Sequence, residues 1–157
     1  MTTPVQEIFG NKLRVRVCGI CIHQGEILLV NHTGLGTPHF WAPPGGGIQT
    51  GESAHEALVR EFKEETGLSI EVRDFLFACE FIRLPLHAVE LFFQVSITGG
   101  NLTTGQDPEL GNRQVIQDVR FFDDTQIRSI PLAHLHGIFK ETSDIAQIGR
   151  LRGYFKL

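Results

Sequence analysis

The sequence predicts an α/β protein in which a mixed β-sheet is covered by helices on both faces. Three observations carry this expectation. Strand-like runs lie on both sides of a mid-chain helix, that helix runs without Gly or Pro from Ser53 to Thr66, and more helical sequence follows the last long strand.

The first ten residues read as a flexible arm. Residues 13–22 then alternate in the period of a strand, with Leu13, Val15 and Val17 on one side and Arg14 and Arg16 on the other. A second apolar run, 26–30, follows His23-Gln-Gly25, so the two runs are expected to form a β-hairpin. Residues 31–40 contain Gly34, Gly36 and Pro38 and read as a loop. Trp41-Ala-Pro-Pro-Gly-Gly-Gly47 suits neither a regular helix nor a central strand. The helix of residues 53–66 can be capped by Ser53 or Thr50, and Gly67 can take the left-handed conformation that ends it. Residues 70–84 are long enough for two strands or one bent one, and 87–97 form another, ended by Thr98-Gly-Gly-Asn101. Residues 102–113 are a polar loop holding Gly105, Asp107, Pro108, Glu109 and Gly111. Residues 115–122 read as a strand, two helical stretches broken near Pro131 follow, and 153–157 are a terminal strand or a tail.

Composition narrows the function. The 157 residues suit one domain over 1–157, and 41% hydrophobic with 20% charged residues describes a globular chain. With 14 Lys and Arg against 18 Asp and Glu, the net charge is −4, so no basic nucleic-acid footprint exists and no nucleic-acid partner is expected. No apolar run approaches the roughly 20 residues of a membrane span. The N-terminus lacks the charged and apolar halves of a signal peptide, which points to a cytoplasmic protein. Cys18 and Cys21 are three apart on a strand and diverge to opposite faces, so they are expected as small core residues and not as a redox or zinc pair.

The chemistry concentrates in the central helix. Glu61, Glu64 and Glu65 stand at i, i+3 and i+4 and share one helical face. Three carboxylates so placed repel one another, and a hard divalent cation such as Mg²⁺ relieves that cost while bridging to phosphates. Arg60, four residues from both Glu56 and Glu64, can hold either carboxylate.

The flanks complete a pattern: Gly46-x5-Glu52-x7-Arg60-Glu61-Phe62-x-Glu64-Glu65-x-Gly67-Leu68. This resembles the signature of the Nudix, or MutT-like, hydrolases at every specified position. The resemblance implies an α/β/α sandwich around a mixed sheet. It also implies divalent-metal-dependent hydrolysis of a nucleoside diphosphate linked to another moiety, with Mg²⁺ as cofactor and Mn²⁺ able to substitute. By position, Glu61, Glu64 and Glu65 would bind the metal, the Gly45 carbonyl would add a backbone ligand, and Glu52 and Arg60 would support the glutamates. The family also supplies an acid from a later loop, as metal ligand or general base; here that is Glu109, with Asp107 as the alternative. Glu61 is expected nearest the catalytic metal, Glu109 is the competing base, and the spacing leaves open which takes the proton.

Outside the motif the signals are thinner. Gly45-Gly-Gly47 is not a Walker A loop, because no Lys-Ser/Thr follows. His39, beside the glycine-containing loop, and His87, beside the Pro85 turn, are candidate substrate contacts, as are Arg83 for an anionic group and Phe81 for stacking on a base. His134 and His136, two apart, are not expected to share a metal. The expected partner is a small nucleotide, with a mild preference for ADP-ribose or a nucleotide sugar. A modified nucleoside triphosphate, or a sensing role without catalysis, remains the alternative, and the sequence leaves room for a homodimer.

Overall fold

The structure, a computed structural model, describes residues 2–34, 37–110 and 115–157; Gly36 and Gly111 of the expected loops lie outside these. In chain order the elements are α1 (Pro4–Phe9), β1 (Lys12–Ile20), β2 (Ile22–His23), β3 (Glu26–His32), β4 (Phe40–Ala42) and β5 (Gly45–Gly47). They continue with α2 (Ala54–Thr66), β6 (Leu68–Arg83), β7 (Leu86–Gly100), β8 (Ile116–Phe122), α3 (Asp124–Ser129), α4 (Ile145–Ile148) and β9 (Gly153–Lys156).

One sheet is mixed, in the order β5-β1-β7-β6-β9, with β1 parallel to β7 and β6 parallel to β9. The other is antiparallel: β3 pairs with β2, β4 and β8. Alternation along β3 sends Ile27 and Leu29 into one core cluster and Leu28 and Val30 into the other, so both faces of the strand are covered. Helix α2 lays Ala57, Leu58 and Phe62 on one face. Ile127 of α3, Ile138, Phe139, and Ile145 and Ile148 of α4 close the other. The arrangement is the expected sandwich.

Several expectations are refined. The hairpin holds only where Ile22 and His23 face Ile27 and Glu26, through a turn with positive φ at Gln24 and Gly25. β1 itself pairs with β5 and β7, because the chain passes between sheets at Cys21. Residues 4–9, expected within a flexible arm, are helical. Thr3 and Gln6 form a capping box, Pro4 occupies the first turn, and Val5 and Phe9 pack with Val115. Residues 68–83 are one strand whose register shifts at several points, and the strand beginning at Leu86 runs on to Gly100. Beyond Pro131 the chain makes two 3₁₀ turns before α4, and the terminal segment is a strand. All three cysteines are free and buried, and Cys18 and Cys21 belong to opposite core clusters. Among the described residues no helix is long and apolar enough to cross a membrane.

Local sequence sets the ends of α2. Ser53 accepts the Glu56 N–H while Glu56 accepts the Ser53 N–H, and Gly67 stops the helix at φ 75°. The loop after β7 then folds back onto the helix end. The N–H groups of Thr103, Gly105 and Gln106 donate to the carbonyls of Thr66, Glu65 and Glu64 at 2.9, 2.8 and 3.1 Å. These carbonyls have no partner within the helix, so the loop satisfies them and carries Asp107 and Glu109 with it.

Candidate active site

Helix α2 presents its acidic face to β5, where glycines let the two approach closely. The Gly45 N–H donates to Glu65 at 2.8 Å. A Cβ on Gly46 would stand 2.4 Å from the Glu61 carboxyl carbon, so only glycine leaves room for that carboxylate. Glu61 and Glu65 are buried, and Glu64 is half-buried. Arg60 ties the group together: it donates to Glu52 at 2.6 and 3.1 Å, to Glu61 at 2.8 Å, to Glu64 at 3.2 Å and to the Gly47 carbonyl at 3.2 Å. The bond from Arg60 holds Glu52 below the usual carboxylate range. Burial, and then the charge of Glu65, push Glu61 up to about 7 despite Arg60, and burial raises Glu64.

Arg60 is thus shared among the carboxylates of Glu52, Glu61 and Glu64, with Glu65 beside them. Among the described residues no three acidic, imidazole or thiol groups already converge as a metal cage. Mg²⁺ needs less than that, since it takes one or two carboxylates and keeps several waters. Two buried carboxylates on one helical face, Glu61 and Glu65, offer the oxygen donors that suit such an ion.

A model of the NUDIX domain matches residues 11–141. The chain belongs to the NUDIX family. It is 32% identical over 122 residues to an ADP-ribose pyrophosphatase of Methanocaldococcus jannaschii, covering 76% of this chain and 68% of that protein. It is also 32% identical over 129 residues to the human 8-oxo-dGDP phosphatase NUDT18, covering 79% of this chain and 39% of that one. A crystal structure of a UDP-X diphosphatase superposes with a TM-score of 0.67 at 22% identity, over 91% of this chain and 67% of that one, which supports the fold. This chain is a Nudix hydrolase, an enzyme of the pyrophosphatase class.

Around the Nudix glutamates the structure adds partners that sequence reasoning missed. His32 of β3 lies 3.7 Å from Glu65. On β1, Arg14 packs 3.8 Å over the Phe9 ring, stands 3.9 Å from Glu109, and would sit 2.9 Å from a Cβ on Gly47. Burial and the neighbouring Arg16 push Arg14 down to about 10. Arg16 donates to Glu90 of β7, which is buried, and the other Glu90 oxygen takes His136 Nε2 at 2.7 Å. His136 Nδ1 accepts the Ile138 N–H at 3.1 Å, so the ring proton is on Nε2 and points at Glu90. Burial pushes the Glu90 carboxyl up, but His136 and Arg16 outweigh it and hold it well below the usual range.

The expected substrate residues divide by sheet face. Cross-strand partners share a face, so the row Arg14, Ala88 and Phe81 lies beside the row Arg16, Glu90 and Cys79. Phe81 and Arg83 therefore stand on the arginine face of the sheet, opposite α2. His87 belongs to the other face, in the row of Leu13 and Ile82, and bonds Glu80 at 2.9 Å. His39 lies apart from both rows, bonded to Asn31 at 3.0 Å with its ring centroid 6.5 Å from that of His134. Glu109 pairs with Arg14 of β1. The clue to Arg14 and Arg16 was their period-two placement, which hydrophobicity misreads: Leu13 is 64% exposed, whereas the Arg14 side chain is 20% exposed.

Proposed function

We propose that this chain, acting as one domain over residues 1–157, hydrolyses the pyrophosphate bond of a nucleoside diphosphate linked to another moiety. ADP-ribose or a nucleotide sugar is the preferred substrate. Mg²⁺ would be held by Glu61, Glu64, Glu65 and the Gly45 carbonyl, with Mn²⁺ able to replace it. A cytoplasmic site of action suits such a substrate, and a homodimer is compatible with the reading.

The observation that carries it is the buried Glu61 carboxyl, packed against Gly46 beside Glu65 and bonded by Arg60. When bound, a divalent ion neutralises phosphate charge and lowers the pKa of a coordinated water. The chain's own residues do the rest. Arg60 orients Glu61 and Glu64 and is itself fixed by Glu52. A carboxylate within reach of the attacking water, Glu61 or Glu109, removes its proton. The 32% identity to an ADP-ribose pyrophosphatase supports the substrate preference.

The test is product release from ADP-ribose, nucleotide sugars, dinucleoside polyphosphates and nucleoside triphosphates with Mg²⁺, with and without EDTA. Mg²⁺-dependent cleavage of ADP-ribose or a nucleotide sugar is the expected result. Cleavage of triphosphates alone would replace the substrate class, and a folded protein inert across the panel would overturn the catalytic reading.

A further inference from the structure

Arg16 is built into the interior of the sandwich from three directions. Glu90 beside it on β7 accepts from its Nη1, His136 from the C-terminal segment completes Glu90, and the Cys18 Sγ lies 3.6 Å from the same carboxylate oxygen. Both Glu90 and His136 are buried, so this support does not yield to solvent. Yet the guanidinium is not used up. Its Nε is buried with no hydrogen-bond partner among the described residues, while a quarter of the side chain is exposed. An orphaned buried donor is costly in a folded protein unless water or a ligand group receives it. Arg14 stands two residues earlier on the same face, about 7 Å along the strand. Both arginines flank the glycine strand, with Arg16 opposite Gly47 in register and Arg14 leaning over it.

We propose that Arg16, presented by the buried Glu90–His136 pair and backed by Arg14, is a phosphate-binding group of this enzyme. It donates to the phosphate oxygens of a nucleoside diphosphate through the part of the guanidinium that Glu90 leaves unpaired. The inference deepens the function proposed above and rests on that reading for its substrate class. Glu90 and His136 are positioning residues: they hold the guanidinium plane and do not touch the ligand. A planar fork suits phosphate oxygens, and a lysine at the same place would supply charge without the paired donors.

The experiment is calorimetric binding of ADP in EDTA, which reads the site without metal or turnover. The unsubstituted protein is expected to bind ADP, and Arg16→Met to weaken that binding at least tenfold. Because Arg16→Met leaves Glu90 buried without the arginine's charge, the double variant Arg16→Met/Glu90→Gln is measured beside it and is expected to show the same loss while remaining folded by circular dichroism. Arg16→Lys is expected to regain little. Unchanged ADP affinity in the folded double variant, full affinity in Arg16→Lys, or no binding by the unsubstituted protein would each overturn the proposal. Substrate hydrolysis with unaltered ADP binding would sink this inference alone. Inertness across the substrate panel with the expected binding losses would sink the catalytic reading and leave this one standing.

Discussion

The Glu65 carboxylate accepts the Gly45 N–H at 2.8 Å, across twenty residues of chain. One bond thus ties the acidic helix to the glycine strand and sets the depth at which Glu65 is buried. The second Glu65 oxygen stands 3.7 Å from His32.

Glu64→Gln and Glu65→Gln are therefore expected to cut turnover by a factor of a hundred or more while the fold survives, since an amide oxygen still accepts but carries no charge for the metal. Steady-state kinetics with Mg²⁺ on folded variants decide this, and near-normal rates in both would remove the glutamates from the mechanism. Glu64, whose carboxyl is raised by burial, is half-exposed, so its removal is expected to leave metal-free thermal stability unchanged or slightly higher.

Gly46→Ala tests the room that Glu61 occupies. The new methyl would stand 2.4 Å from the Glu61 carboxyl carbon and must displace it. Activity is expected to fall at least tenfold with a modest loss of stability, of order 1–3 kcal/mol for overpacking. Unaltered kinetics would mean that the Glu61 position is not critical.

Gly105→Ala tests the loop docked on the end of α2. A Cβ there would fall 1.8 Å from the Glu64 carbonyl oxygen, so the bonds of Thr103, Gly105 and Gln106 to the helix end cannot all persist. Faster amide hydrogen exchange at residues 103–106 and a lower melting temperature are expected. Exchange identical to the unsubstituted protein would show that the loop is held some other way.

The Glu90 network makes a pH prediction. Its carboxyl is held below its ordinary value in the folded state, so it contributes stability that is present above about pH 4.5 and lost as pH falls toward about 2. Glu90→Gln is expected to lower stability at neutral pH by about 3–5 kcal/mol, because Arg16 is left without its counter-charge, and to flatten the acid limb of the stability curve. Denaturant titrations between pH 2 and 7 on both proteins check it; parallel curves would assign the acid sensitivity elsewhere.

The motif around α2 was legible because it is local. The 3.6-residue period alone puts Glu61, Glu64 and Glu65 on one face, Ser53 and Glu56 cap within one turn, and Gly67 supplies the positive φ that ends the helix. The strands were legible as runs, but their partners were not. Nothing within residues 13–22 says that β1 pairs with β5 and β7, since strand pairing depends on residues far along the chain.

By itself, then, the sequence determined the acidic helix, its boundaries, and with them the family and the class of reaction. Only the tertiary structure decided that two arginines turn inward while Leu13 is left exposed, that His87 faces away from the arginine row, and that Glu90 and His136, 46 residues apart, meet beneath Arg16. The physical reason is the range of the forces involved. Helix geometry is settled by neighbours within four residues, whereas a buried ion pair exists only when packing from distant segments removes the water that would otherwise solvate each charge.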